Sequence, residues 1–189
     1  FDNGCAAALT GGAKLPMYVI LHGYEQTTGS IFEEMRDRAT DKGFAACAVN
    51  MRGRGSDPGT EDDSARELQD IVDCVEAFAA AYPNVVDRTR VHVIGYSGGG
   101  ANAIALAAKY PGRFVTVVSC FGWADYGESS VNGHSYWATG DSPAEVVARI
   151  GPRSDLQPYK ARNVLGTIAD AVKQTTGQFY MFWDSQDVI

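Results

Sequence analysis

The sequence predicts an α/β domain built around a mostly parallel sheet with helices on both faces. Short, continuously apolar runs alternate with segments of helical periodicity, as expected when strands are buried on both faces. The predicted order is β-α-β-α-β-α-β-(α)-α-β, with no internal repeat and no linker, which indicates one domain over residues 1–189. Of the 189 residues, 45% are hydrophobic, which is enough to build a substantial core.

Each of the five predicted strands is an apolar run bounded by turn residues. The runs lie at 17–21, 44–49, 91–94, 114–119 and 179–183. The first of them is apolar without interruption, so we expect it in the interior of the sheet.

The helices between these strands are predicted from apolar periodicity and from the residues at their ends. A capping box of Ser30 and Glu33 opens the first helix. Acidic residues at 61–63 suit the positive end of the dipole of a second helix, which Pro83 stops. Further helices are expected at 101–110, from 142 onward and at 164–177.

The corner after the third strand contains the best candidate for a nucleophile. Its residues Gly95-Tyr96-Ser97-Gly98-Gly99 match G-x-S-x-G. A sharp turn from strand to helix strains the backbone of the corner residue and exposes its side chain, and the neighbours two positions away must be small. The next backbone N–H, from Gly98, points toward the same space and can hold developing negative charge.

The same corner also fits a dinucleotide-binding fingerprint, because residues 98–103 match G-x-G-x-x-A. That interpretation needs an acidic residue at the end of the following strand, where the chain has Val118-Ser119-Cys120. The fingerprint also lies in mid-chain rather than after the first strand. A dinucleotide cofactor is therefore not expected, and the simplest alternative is a glycine-rich turn without chemistry.

The motifs at the predicted carboxyl ends of the strands resemble those of the α/β-hydrolase family. The resemblance covers residues 15–189. Leu21-His22-Gly23-Tyr24 looks like the oxyanion-loop motif of that family, and the corner at Ser97 looks like its nucleophile elbow. Within the family, the chain is similar to acetyl-xylan and cephalosporin deacetylases, and to prolyl-oligopeptidase-like and dienelactone-hydrolase-like members. The resemblance implies a serine hydrolase that attacks a small-molecule or polysaccharide-linked ester, with peptidase activity as an alternative.

The resemblance assigns roles to residues by their position. Ser97 is the nucleophile that forms an acyl-enzyme, and the backbone N–H groups of Tyr24 and Gly98 hold the oxyanion. The acid of the triad is Asp187, which follows the last strand, and Asp184 is the alternative acid.

Two groups of side chains are expected near the carboxyl ends of the strands, and each group allows two interpretations. A cap or substrate-loop insertion is expected at 123–160, where Trp123, Tyr126 and Trp137 either line a substrate pocket or pack as a cover over the sheet. Arg52 and Arg54 either meet an acidic substrate group or, as we expect, brace their loop through ion pairs.

The histidine base of the triad has no clear counterpart in the sequence. In the family the base follows the acid, whereas the sequence ends at Ile189. His22 belongs to the oxyanion motif, His92 lies inside the third strand, and His134 lies in the aromatic loop as a weak substitute. We expect a fragment, short at both ends, whose base, final strand and closing helix lie beyond residue 189. A non-catalytic binding or structural module is the alternative.

Charge and composition weigh against other classes of protein. The net charge is -7 and no lysine or arginine cluster occurs, so a nucleic-acid surface is not expected. No apolar run approaches the length of a membrane span, and no membrane partner is expected. The four cysteines are widely spaced and predicted to be free thiols, not disulfides or zinc ligands. Neither a metal nor another cofactor is expected, and the compartment and the oligomeric state stay open.

Overall fold

The computed structural model describes residues 13–23, 26–54, 57–62, 64–124, 148–152, 154–155, 157–162, 164, 167–168, 173 and 177–182. Strands and helices alternate along the chain. They are β1 (Leu15–Leu21), α1 (Thr28–Asp41), β2 (Ala45–Val49), α2 (Arg66–Ala81), β3 (Val86–Tyr96), α3 (Gly98–Lys109), β4 (Thr116–Cys120), α4 (Gln157–Arg162) and β5 (Gln178–Phe182). The five strands are parallel and lie in the order β2-β1-β3-β4-β5. The predicted α/β fold is confirmed.

Helices cover both faces of this sheet. On one face, α2 and α3 pack over a core of aliphatic side chains that includes Val19, Val93 and Leu106. On the other face, α1 packs over β1 and β2, where Ile20 and Met35 belong to a smaller core. Because the central strands are covered on both faces, their sequences are apolar without alternation.

The third strand is longer than predicted, because it pairs with β1 over most of its length. β3 begins at Val86 rather than at residue 91. Val86 pairs with Leu15, and the register then shifts between Pro16 and Met17. The sequence did not predict this extension, because polar residues at 88–90 interrupt the apolar run.

The predicted start of α1 is wrong by two residues. The helix begins at Thr28 rather than at Ser30, whose side chain lies outside the described residues. The Thr28 N–H donates to the Asn50 Oδ1 at 2.9 Å, so a residue following β2 satisfies a free donor at the helix start. A contact between residues distant in sequence therefore sets this boundary.

The starts of the next two helices are also displaced from their predicted positions. α2 begins at Arg66, and the Asp62 carboxylate accepts hydrogen bonds from the N–H groups of Arg66 (2.9 Å) and Glu67 (3.2 Å). A residue of the acidic stretch thus satisfies free N–H groups in the first turn of α2 from a position before the helix. α3 begins at Gly98, earlier than the predicted residue 101, because the corner passes into the helix without a loop. The start of the helix predicted from 142 lies outside the described residues, although 148–150 are helical, and most of the helix predicted at 164–177 also lies outside them.

Two further predictions concern membrane spans and thiols. None of the helices in the described ranges combines the length and apolar character that crossing a bilayer requires. Cys47, Cys74 and Cys120 are free thiols, as predicted, whereas Cys5 lies outside the described residues.

Candidate active site at the carboxyl edge of the sheet

Ser97 occupies the corner between β3 and α3 with a strained backbone. Its φ of 52° and ψ of -117° lie outside the backbone regions that residues other than glycine ordinarily adopt. The residue is exposed, while the three glycines after it are buried. Its N–H donates to the Cys120 carbonyl at 2.8 Å, which ties the corner to the end of β4. The strained corner thus presents a hydroxyl to solvent at the carboxyl edge of the sheet.

The glycines on either side of Ser97 are required by close backbone packing. A Cβ at Gly95 would lie 1.9 Å from the Gly99 carbonyl oxygen. A Cβ at Gly99 would lie 2.4 Å from the Leu21 oxygen and 2.6 Å from the His22 oxygen. These distances are far shorter than a carbon atom can approach. The glycines therefore let the first turn of α3 pack against both β3 and the end of β1.

The residues around the Ser97 side chain supply one described candidate for an oxyanion donor. Gly98 is the first residue of α3, where backbone N–H groups have no acceptor within the helix and the dipole favours negative charge. Gly23 passes beside Ser97, since a Cβ placed on Gly23 would lie 3.3 Å from the Ser97 Cβ. The next residue, Tyr24, is the other predicted donor and lies outside the described residues.

His22 is fully buried, and backbone groups contact both of its ring nitrogens. The Met51 N–H donates to Nε2 at 3.3 Å, so the proton of the neutral ring is on Nδ1, which lies 2.8 Å from the Gly23 carbonyl oxygen. Burial lowers the pKa of His22, which favours this neutral form. A ring held in this way braces the loop after β1 and is not available as a general base for Ser97.

His92 is no better placed to act as the base. It lies five residues before Ser97 on β3, which corresponds to roughly 16 Å along a strand. Its Nδ1 lies 3.0 Å from the Thr116 Oγ1, and its ring packs edge-on against Phe44. Burial lowers its pKa as well. The third histidine, His134, lies outside the described residues.

The end of β5 lies at the same edge of the sheet as Ser97. Tyr96, Cys120 and Phe182 are partners across β3, β4 and β5, and the Phe121 N–H donates to the Phe182 carbonyl at 2.8 Å. β5 therefore ends at the edge of the sheet where Ser97 lies, and residues 183–189 follow it in the sequence. The predicted acid Asp187 and its alternative Asp184 are among them, outside the described residues.

The aromatic residues predicted for a substrate pocket are described only in part. Trp123 is half-buried and follows β4 at the edge that carries Ser97. Tyr126 and Trp137 lie outside the described residues. A hollow of about 340 Å³ lies elsewhere, on the face of the sheet that α1 covers, and is lined by Tyr18, Met35 and Ile94 among others. Because Ser97 does not line this hollow, we do not assign substrate to it.

The two loop arginines are held by ion pairs, as expected. Arg52 forms two hydrogen bonds with the Asp70 carboxylate, at 2.6 and 2.7 Å, and this contact raises its pKa. Arg54 is almost fully buried, with its guanidinium 3.7 Å from Glu61 and 3.8 Å from Glu67. Both arginines thus fix the loop between β2 and α2.

A buried polar cluster that connects α2 to α3 was not predicted. It consists of Met51, Arg54, Ser64, Glu67 and Asn102, and we call it the Glu67 cluster. The sequence does contain a signal for it, because Glu67 shares one face of α2 with the buried Ile71 and Val75. In the described part of the chain, no group of three His, Cys, Asp or Glu residues could hold a metal ion.

Comparison with known proteins agrees with this architecture. The family model described as "Serine aminopeptidase, S33" matches residues 15–165. A search of curated proteins finds no match. Among solved structures, a puromycin-hydrolyzing peptidase from Mycobacterium tuberculosis superposes with a TM-score of 0.73 at 18% identity, covering 94% of this chain and 32% of its own.

Two further structures share the fold. They are the acetyl xylan esterase from Paenibacillus sp. R4 (TM-score 0.64, 22% identity, 93% of this chain and 60% of its own) and the fluorophosphonate-binding serine hydrolase F from Staphylococcus aureus (0.62, 15%, 89% and 64%). This chain therefore spans less than two thirds of the length of each of the three structures. The family match covers β1 to β4 and the whole Ser97 corner, so the chain belongs to the serine aminopeptidase S33 family of α/β-hydrolases.

Proposed function

We propose that the protein is a serine hydrolase that cleaves carboxylic esters through an acyl-enzyme on Ser97. The observation that carries this proposal is the corner itself, where an exposed serine with φ 52° and ψ -117° lies at the start of α3. A buried serine in a relaxed turn could not reach a carbonyl carbon. Strain of this kind persists only where surrounding structure enforces it, and it is common at functional sites.

The environment of Ser97 also supports stabilisation of an oxyanion. The Gly98 N–H lies at the positive end of α3, and we assign the second donor to the Tyr24 N–H, which follows Gly23 in the loop beside Ser97. Each donor of this type stabilises the transition state by roughly 3–4 kcal/mol.

For the remaining triad members we propose Asp187 as the acid, with Asp184 as the alternative. This choice is supported by the register of β5, whose last described residue, Phe182, pairs with Cys120 at the sheet edge where Ser97 lies. The base would be a histidine beyond residue 189 that accepts the Ser97 proton and then donates it to the leaving group. The two described histidines do not compete for this role, because His22 contacts backbone groups through both nitrogens and His92 lies far along β3.

A peptidase is the second candidate function. The family match carries the description of a serine aminopeptidase, and one of the similar structures is a puromycin-hydrolyzing peptidase. The acetyl xylan esterase among the similar structures supports an ester instead. Both reactions use the same nucleophile and oxyanion donors, and they differ in the leaving group, which is an alcohol for an ester and an amine for a peptide. In either case we propose a small-molecule or polysaccharide-linked acyl substrate.

The proposed nucleophile is tested by covalent labelling of the parent chain with a fluorophosphonate probe. We expect labelling of the wild type and none of Ser97→Ala, because the probe reacts with an activated serine hydroxyl. Ser154→Ala removes another exposed serine and should label like the wild type. If the folded wild type is not labelled, the proposal is wrong and a non-catalytic module becomes the better interpretation. Comparing p-nitrophenyl acetate with an aminoacyl p-nitroanilide then separates esterase from aminopeptidase activity.

A further inference from the structure

The Glu67 cluster places a carboxylate in the interior of the protein, where such a group is costly unless it is paired. Glu67 is 0% exposed, and so is Asn102, which lies on α3 five residues after Ser97. A buried carboxylate must be compensated by hydrogen bonds and opposite charge. Its position beneath the nucleophile helix therefore needs an explanation.

The contacts of Glu67 connect three segments of the chain. Its Oε2 accepts a hydrogen bond from the Asn102 amide at 3.1 Å, and its Oε1 lies 3.8 Å from the Arg54 guanidinium. Its carboxylate also accepts from the backbone N–H groups of Asp62 and Ser64. The Ser64 hydroxyl donates to the Asn102 Oδ1 at 2.5 Å, which fixes the orientation of the amide. Glu67 thus joins α2, α3 and the loop after β2.

A second set of contacts continues from this cluster to the oxyanion loop. The Asn102 amide contacts the Met51 sulfur, and the Met51 N–H donates to the His22 ring. The other nitrogen of His22 contacts the Gly23 carbonyl oxygen, beside Ser97. The chain of contacts therefore begins on the nucleophile helix and ends on the loop that carries one predicted oxyanion donor.

From this geometry we infer that Glu67 is a positioning residue for the nucleophile, acting through Asn102 on α3 and through Arg54 and Met51 on the loop after β2. It fixes the rotation of the first turns of α3 relative to the oxyanion loop. Asn102 lies only about 7.5 Å along the helix axis from Ser97, so a shift there displaces the hydroxyl directly. The inference rests on the proposed function, because it concerns the reactivity of Ser97.

The expected size of the effect follows from the sensitivity of acyl transfer to geometry. A displacement of about 1 Å at a reacting group can lower a rate by roughly 100-fold. In Glu67→Gln the shape is kept, but the charge opposite Arg54 is lost and an NH₂ group faces hydrogen-bond donors. We expect the rate of fluorophosphonate labelling and kcat on an ester to fall about 10- to 100-fold, with KM unchanged.

The matched control is Glu76→Gln on the same helix. Glu76 is 40% exposed and pairs with the exposed Arg88 and with Arg113, which is partly buried. This variant should label within about twofold of the wild type, because an exposed pair contributes little. Rates are normalised to the number of labelled sites and measured well below the thermal midpoint of each variant. A purely structural role would lower that midpoint and leave kcat per labelled site unchanged.

A second variant guards against failure of Glu67→Gln to fold. Ser64→Ala removes the hydroxyl that orients the Asn102 amide and leaves the carboxylate in place. It should slow labelling by about three- to tenfold, because one net hydrogen bond is worth roughly 1 kcal/mol. If folded Glu67→Gln and Ser64→Ala are labelled as fast as the wild type, the inference is wrong and the proposed function still stands. Absence of labelling in the folded wild type would overturn the proposed function and the inference with it.

Discussion

The Ser97 corner and the Glu67 cluster support the same helix by different kinds of contact. At the corner, the residues that force the geometry are Gly95 and Gly99, within two positions of Ser97. In the cluster, Glu67 and Asn102 are 35 residues apart and meet only because α2 packs against α3. Ser97 at the corner is exposed, whereas the side chains of the cluster are buried. Local sequence thus produces the strained conformation of Ser97, and distant contacts join α3 to α2.

The strongest perturbation of the corner is expected from Gly95→Ala. Its Cβ would lie 1.9 Å from the Gly99 oxygen, a backbone atom that cannot move without displacing α3. We expect a loss of about 3 kcal/mol or more in the free energy of unfolding, measured by denaturant titration. Gly29→Ala is the matched control, because its nearest neighbour is 3.9 Å away and it lies in α1. This control should gain about 0.5–1 kcal/mol, and an equal loss in both variants would contradict the steric argument.

The cluster is expected to be less sensitive than the corner to a single truncation. Asn102→Ala leaves Glu67 and Ser64 each with one fewer partner in the interior, which costs about 1–3 kcal/mol. Denaturant titration measures this loss. Asn50→Ala, which removes the hydrogen bond at the start of α1, should cost about 1 kcal/mol and leave labelling of Ser97 unchanged. Equal labelling of both variants would show that the cluster acts on stability alone.

His22, which links the two regions, makes the stability depend on pH. Burial lowers its pKa in the folded protein, so below about pH 6.5 the unfolded chain binds a proton that the folded protein does not. Stability is therefore full above that pH and falls as the pH drops toward the folded-state pKa. In His22→Gln, the decrease in unfolding free energy between pH 7 and pH 5 should be smaller than in the wild type. His92, whose pKa is also lowered, accounts for part of the remaining decrease. An unchanged pH dependence in the variant would contradict this assignment.

The smallest effect is expected for Glu76→Gln, far from both regions. Its ion pair with Arg88 is at the surface and its pair with Arg113 is only partly buried, and exposed pairs contribute about 0–1 kcal/mol. Thermal unfolding at low and high salt measures this contribution. If Glu76→Gln lost as much unfolding free energy as Asn102→Ala, buried and exposed polar contacts would contribute equally to stability, contrary to our expectation.

Much of the fold could be predicted because buried parallel strands have a simple signature. The five strands and the three longer helices appear in the structure in the predicted order. The helix starts were less predictable, since Thr28 is capped by Asn50 and α2 is capped by Asp62 from outside the helix. The Asp62 contacts are local in sequence, but the Asn50 contact depends on tertiary packing, which local periodicity does not encode.

The sequence by itself determined the strained corner at Ser97 and the glycines that surround it, because both depend on residues within a few positions of each other. It also indicated that His22 and His92 are poor bases. Only the tertiary structure decided how they are held, and that Glu67 and Asn102 meet beneath α3. The physical reason is that a hydrogen bond between buried groups depends on the packing of whole elements, whereas a strained corner depends on the clash of adjacent backbone atoms.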